Sequence, residues 1–167
     1  MARQKRHCLA ALVLGLGAAL APAAAAEAAR TVITAPGESE PAIRRALSLL
    51  PRRPQEVSVV DAEQVDPEAR ERFLKAEAFF SKGRPTVYLT RHSPVLRAAE
   101  EGSSIHVHVL AAIIWHEMAH MEGADEPEAQ RREESMWKRF VRDGLVDNVT
   151  ALRYLKLLAD RHTASAR

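Results

Sequence analysis

From Ile105 to Met121 the chain is almost continuously apolar, with Val109, Leu110, Ile113, Ile114, Trp115 and Met118 distributed around the helical wheel. A run of this length reads as a helix rather than a strand. Being apolar on nearly every side, it is expected to pass through the core of whatever domain forms around it. Only its start is ambiguous, because Ile105-His106-Val107-His108-Val109 alternates as a strand would.

Near the end of this apolar run lies His116-Glu117-Met118-Ala119-His120. Two histidines four apart on a helix share one face about a turn from each other, close enough to hold one metal ion. Glu117 is placed to take a proton from a water at that ion and pass it to a leaving amine. Buried without a metal or hydrogen bonds, these three side chains would be costly to desolvate. Zinc, the expected ion, usually takes three protein ligands in a catalytic site and leaves one position for water. The third must come from the acids that follow, Asp125, Glu126, Glu128 or Glu133, or from a distant histidine. Glu126 could equally cap the helix that begins near Pro127. His106 and His108, ten and eight residues ahead of His116, are turned roughly 80° away from it on a continuous helix and are not expected to join the ion.

The first 26 residues bear on where the chain works. They open with Arg3, Lys5 and Arg6, continue through an apolar stretch from about Leu9 to Leu20, and end in alanines. This is the order of a secretory signal, and the apolar stretch is shorter than the 18 or so residues of a spanning helix. An exported protein, periplasmic or extracellular, is expected, with one folded domain over residues 27–167 and no stable membrane insertion after cleavage. The leader holds three of the 24 basic residues and none of the 22 acidic ones, so the remainder is near −1. Overall charge therefore gives no support for a nucleic-acid partner. Cys8, the only cysteine, falls in the leader, which removes thiolate metal sites and cysteine nucleophiles from the mature chain.

The remaining segments predict strands at Thr31–Thr34, Glu56–Val60 and Pro85–Arg91, with Val87 and Leu89 on one face of the last. Helices are predicted over about Glu40–Leu50, from Asp66-Pro67-Glu68 to Gly83, from Pro94 to about Glu101, from Asp125 to about Asp143, and from about Asn148 to Asp160. The second of these would present Phe73, Leu74, Ala76 and Phe80 as its apolar side. Trp115 and Trp137 read as core aromatics. The charges of Gln130–Glu134 and Lys138–Arg142 read as a solvated helix face. Asn148-Val149-Thr150, though it matches a glycosylation acceptor, reads as a helix start.

His116-Glu117-x-x-His120-x-x-Gly123-x-x-Glu126 resembles the metzincin pattern, with Glu126 where a third histidine stands. Glu126-Pro127-Glu128-Ala129 is similar to the Glu-x-x-Ala segment that carries the third ligand of gluzincins. The chain lacks the methionine turn of the first group and has a much shorter gap than large members of the second, so it looks like a minimal zincin metallopeptidase. The resemblance, over roughly residues 85–140, implies an α+β zincin-like fold with a small sheet, a buried zinc helix and a helical C-terminal part. It also implies Zn2+ on His116, His120 and Glu126, Glu117 as general base, and a peptide or protein substrate. In zincins the strand ahead of the zinc helix edges the cleft and pairs with substrate backbone, which would be Thr86–Arg91; an interior strand is the alternative. A donor for the oxyanion could come from Tyr154, Tyr88, His92 or His162. The rival expectations are an inactive zinc-binding module with a closed structural site, and a zinc hydrolase acting on something other than peptides.

Overall fold

The computed structural model describes residues 31–65, 70 and 76–165. The predicted leader with Cys8 and half of the helix predicted from Asp66 to Gly83 lie outside the described residues, as does the side chain of His162.

Among the described residues, five α-helices and four strands make an α+β domain. In chain order these are β1 (Val32–Thr34), α1 (Ser39–Ser48), β2 (Glu56–Val60), β3 (Ala78–Phe80), β4 (Thr86–Thr90), α2 (Pro94–Glu100), α3 (Ser104–Met121), α4 (Glu126–Arg142) and α5 (Asn148–Ser165). The sheet order is β1-β2-β4-β3, with β1, β2 and β4 parallel and β3 antiparallel to β4.

One expectation about this sheet is corrected, and of two open alternatives for its last predicted strand the interior one is observed. Phe80 belongs to a strand, not to the apolar side of a helix running to Gly83, and Phe80↔Val87 pairing holds it there. Strand β4 is interior rather than an edge, because β2 pairs on one side and β3 on the other. Its threonines show why the alternation misleads. Val87 and Leu89 enter the core as expected, but Thr86 and Thr90 are buried too, satisfying their hydroxyls on Glu56 Oε2 at 2.8 Å and on the Ala76 carbonyl at 2.9 Å. A buried threonine is tolerated where its hydroxyl finds such a partner.

Helix α3 is the axis of the domain. Val107, Val109, Leu110, Ala111, Ala112, Ile114, Met118 and Ala119 are all buried, against α1, α2, α4 and the sheet. Removing an aliphatic side chain of this kind from water contributes about 1.5–3 kcal/mol. Helix α4 turns its stripe of Ala129, Met136, Trp137 and Phe140 onto α3, and Trp137 stacks obliquely on Tyr154 of α5 at 4.3 Å. Trp115, by contrast, is only half-buried, beneath the guanidinium of Arg52.

The end of α3 decides where the next helix begins. Gly123 adopts φ +91°, its N–H donates to His120 O at 2.9 Å, and Ala124 N–H donates back to Ala119 O at 3.0 Å. This pair of bonds is a Schellman turn, whose left-handed residue is normally glycine. Asp125 then caps α4 by accepting from Glu128 N–H at 2.9 Å, with Pro127 in the first turn. The chain reverses in a few residues, returning the first turn of α4 to the last turn of α3. Helix α5 starts similarly, with Asp147 accepting from Thr150 N–H and its hydroxyl.

Candidate metal centre

The reversal at Gly123 brings Glu126 back onto the face of α3 that carries both histidines. His116 Nε2 and His120 Nε2 are 3.1 Å apart, and Glu126 Oε2 lies 3.1 Å from His120 Nε2 and 3.6 Å from His116 Nε2. Tetrahedral ligands about 2.0–2.1 Å from a zinc ion are separated from one another by roughly 3.3–3.4 Å. Two sides of the donor triangle are shorter than that spacing and one is longer, each by about 0.3 Å or less.

The outer nitrogens fix which lone pairs face inward. His120 Nδ1 sits 3.0 Å from the Ala124 carbonyl, which can only accept, so Nδ1 carries the proton and Nε2 is left to face the centre. His116 Nδ1 lies 3.1 Å from Glu133 Oε2, which holds its tautomer in the same sense. Glu133 is only 3% exposed and also accepts from Tyr154 Oη at 3.4 Å. The ring of Phe80 stacks on His120, 5.6 Å between centroids and 15° from parallel. Both imidazoles are thus held by contacts from outside their own helix.

The charges of the cluster act on one another. Burial depresses the His116 imidazole, but the Glu133 hydrogen bond and the charges of Glu133, Glu126 and Glu117 outweigh it and raise the pKa overall. Burial pushes the Glu117 carboxyl above its usual range, with Glu126 and Glu133 adding to the effect and the two histidines opposing it. Three carboxylates converge on two imidazoles, an excess of negative charge suited to a divalent ion.

The alternative third ligands are each engaged elsewhere. Asp125 is the helix cap that Glu126 might have been. Glu128 is held by Arg131 at 2.8 Å and Arg132 at 3.2 Å. Glu133 stands behind His116, on the nitrogen facing away from the centre. Of the possible oxyanion donors, Tyr154 is turned to Glu133, Tyr88 stacks on Phe79 at 5.0 Å, and His92 lies 3.5 Å from Asp61. His106 and His108 bond Ser103 and the Ser104 carbonyl, away from the centre.

Glu133 corrects the reading of Gln130–Glu134 as a solvated face. It occupies the buried stripe of α4 between Ala129 and Met136, at the spacing of a core position. That spacing was the available signal: a glutamate in register with an apolar stripe needs a partner inside. The stacking of Phe80 on His120 had no comparable signal, since it depends on how β3 docks.

Comparison with family models, curated proteins and solved structures finds no match for this chain. No helix among the described residues is long and apolar enough to cross a membrane.

Proposed function

We propose that this protein is an exported zincin-like zinc metallopeptidase that hydrolyses peptide bonds, with His116, His120 and Glu126 as metal ligands and Glu117 as general base. The observation that carries the reading is the triangle of His116 Nε2, His120 Nε2 and Glu126 Oε2, at 3.1, 3.1 and 3.6 Å, with Glu117 adjacent in sequence.

A zinc ion held by these donors would polarise a carbonyl and lower the pKa of a bound water. Glu117 would take the proton of the attacking water as the new C–O bond forms, then deliver it to the nitrogen as the C–N bond breaks. A carboxyl whose pKa is raised by burial suits that exchange, because it takes up a proton more readily than an exposed glutamate does. Glu133 and the Ala124 carbonyl keep both Nε2 lone pairs directed inward.

An open site is favoured over a closed structural one because Glu128 and Asp125, the acids able to fill a fourth position, are bound to arginines and to a helix N-terminus. Strand β3 supports a peptide substrate. It is the terminal strand of the sheet, it packs on α3 beside His120 through Phe80, and its outer side pairs with no strand among the described residues. Extended peptides add to such edges through backbone hydrogen bonds.

The test combines metal analysis with one substitution. The purified protein should retain about one zinc per chain, and Glu117→Gln should leave that zinc bound while abolishing peptide hydrolysis. Hydrolysis surviving in the variant, or a wild-type chain indifferent to zinc and to chelators, would sink the proposal.

A further inference from the structure

Beside His120 the β3–β4 hairpin encloses a half-open cleft of about 560 Å³. Phe80, Pro85 and Met121 form its apolar lining, and Lys82 and Arg84 stand on the turn above it. The turn is well defined: Arg84 N–H donates to Ser81 O at 3.0 Å, and Gly83 takes φ +83°, the conformation a type II turn requires at its third position. Because Phe80 stacks on His120, the turn is registered to the metal centre through a direct contact with one of its histidines.

The charges of this cleft are one-sided. Lys82 and Arg84 are both exposed, and neither forms an ion pair among the described residues, whereas Arg52 and Arg132 are paired with Glu122 and Glu128. No carboxylate is among the described residues that line the cleft. Glu126 touches the lining residue His120 at 3.1 Å and belongs to the metal centre, while Glu122 is held by Arg52 at 2.5 Å and by Arg132 at 2.6 Å. Two uncompensated cations over an apolar floor, next to the centre, match a side chain with a short aliphatic stem and an anionic end.

We propose that the Lys82/Arg84 cleft is a specificity subsite for an aspartate or glutamate of the substrate, lying within two residues of the bond presented to the metal centre. The assignment rests on the metallopeptidase reading, since that reading supplies the peptide.

A mixed-sequence peptide library is incubated at low ionic strength with the zinc-loaded protein and with its Lys82→Glu/Arg84→Glu variant, and cleavage sites are read by mass spectrometry. Both substitutions fall on exposed turn positions, so the fold should be retained. For the wild type, Asp and Glu should be enriched about threefold or more at one position near the cleaved bond, the size expected of exposed ion pairs. The enrichment should fade toward 1 M salt, where screening acts within about 3 Å, and in the double variant it should vanish or turn to Lys and Arg. Cleavage without acidic enrichment, or with enrichment unchanged in the double variant, overturns the subsite while leaving the peptidase standing. If nothing is cleaved the peptidase reading falls, and binding of fluorescent Glu-rich and Gln-rich peptide twins to the zinc-loaded protein decides the cleft separately. A threefold preference for the Glu twin that the double variant loses upholds it, and equal binding overturns it.

Discussion

Replacing Glu133 by glutamine is the most informative perturbation of the centre, because it changes one charge at nearly constant volume. In the wild type Oε2 accepts from His116 Nδ1 at 3.1 Å and Oε1 accepts from Tyr154 at 3.4 Å, in a site 3% exposed. A glutamine placing its amide group toward Nδ1 would donate to it, which drives the imidazole proton onto Nε2 and removes the lone pair needed by the ion. Outer partners of metal-bound histidines are worth about 10- to 100-fold in affinity, or roughly 1.4–2.7 kcal/mol at 1.36 kcal/mol per tenfold. Glu133→Gln should therefore raise the zinc dissociation constant by that factor, measured by competition with a chromophoric chelator at neutral pH. Circular dichroism should remain native. Glu133→Ala should lose as much affinity and destabilise the metal-free fold as well, because it removes the acceptor of His116 Nδ1, at about 1–3 kcal/mol. Tyr154→Phe should have a smaller effect, its bond being near the long limit of useful geometry. Zinc affinity unchanged in Glu133→Gln, with Glu128→Gln weakening it instead, would refute the assignment of Glu133 behind His116.

Three further predictions concern stability. Gly123→Ala forces a side chain into φ +91° and should cost about 1–2 kcal/mol in urea unfolding, with zinc affinity falling as Ala124 and Glu126 shift. Leu110→Ala opens a void at the centre of α3 and should cost about 2–5 kcal/mol, read as a fall in the unfolding midpoint at unchanged slope. The Asp147 carboxyl is held below the usual range by its bonds from Thr150, so its contribution is full above the unfolded pKa, near 4, and is lost as pH falls through the lower folded value. The stability advantage of the wild type over Asp147→Ala should accordingly shrink as pH is lowered below about 4, whereas a constant difference would exclude this origin.

The parts of this molecule legible in its sequence are those governed by local chemistry. Helix α3 announces itself by an apolar run too long for a strand, and its end by Gly123. The approach of Glu126 follows from a turn whose hydrogen bonds join residues only a few positions apart. What escaped is tertiary. Strand β3 has three residues, Ala-Phe-Phe, too few to display alternation and compatible with the apolar side of a helix. The interior position of β4 depends on Glu56 and Ala76 supplying partners for two threonines, and neither is near in sequence. The role of Glu133 was partly legible: its spacing within the stripe of α4 marks it as inward, but His116 and Tyr154 as its partners emerge only when three helices pack.

The Schellman turn after α3 has a consequence for how this domain and an ion would depend on each other. All three donor side chains fall between positions 116 and 126, on one helical corner, and no strand contributes any of them. The loop that ligation would close is short, so its entropic cost is small. An ion held there would act as a rivet through the α3–α4 corner. Its extraction should loosen that corner first, seen as faster amide exchange around Gly123 and Ala124, while the β2–β4 pairing keeps its protection.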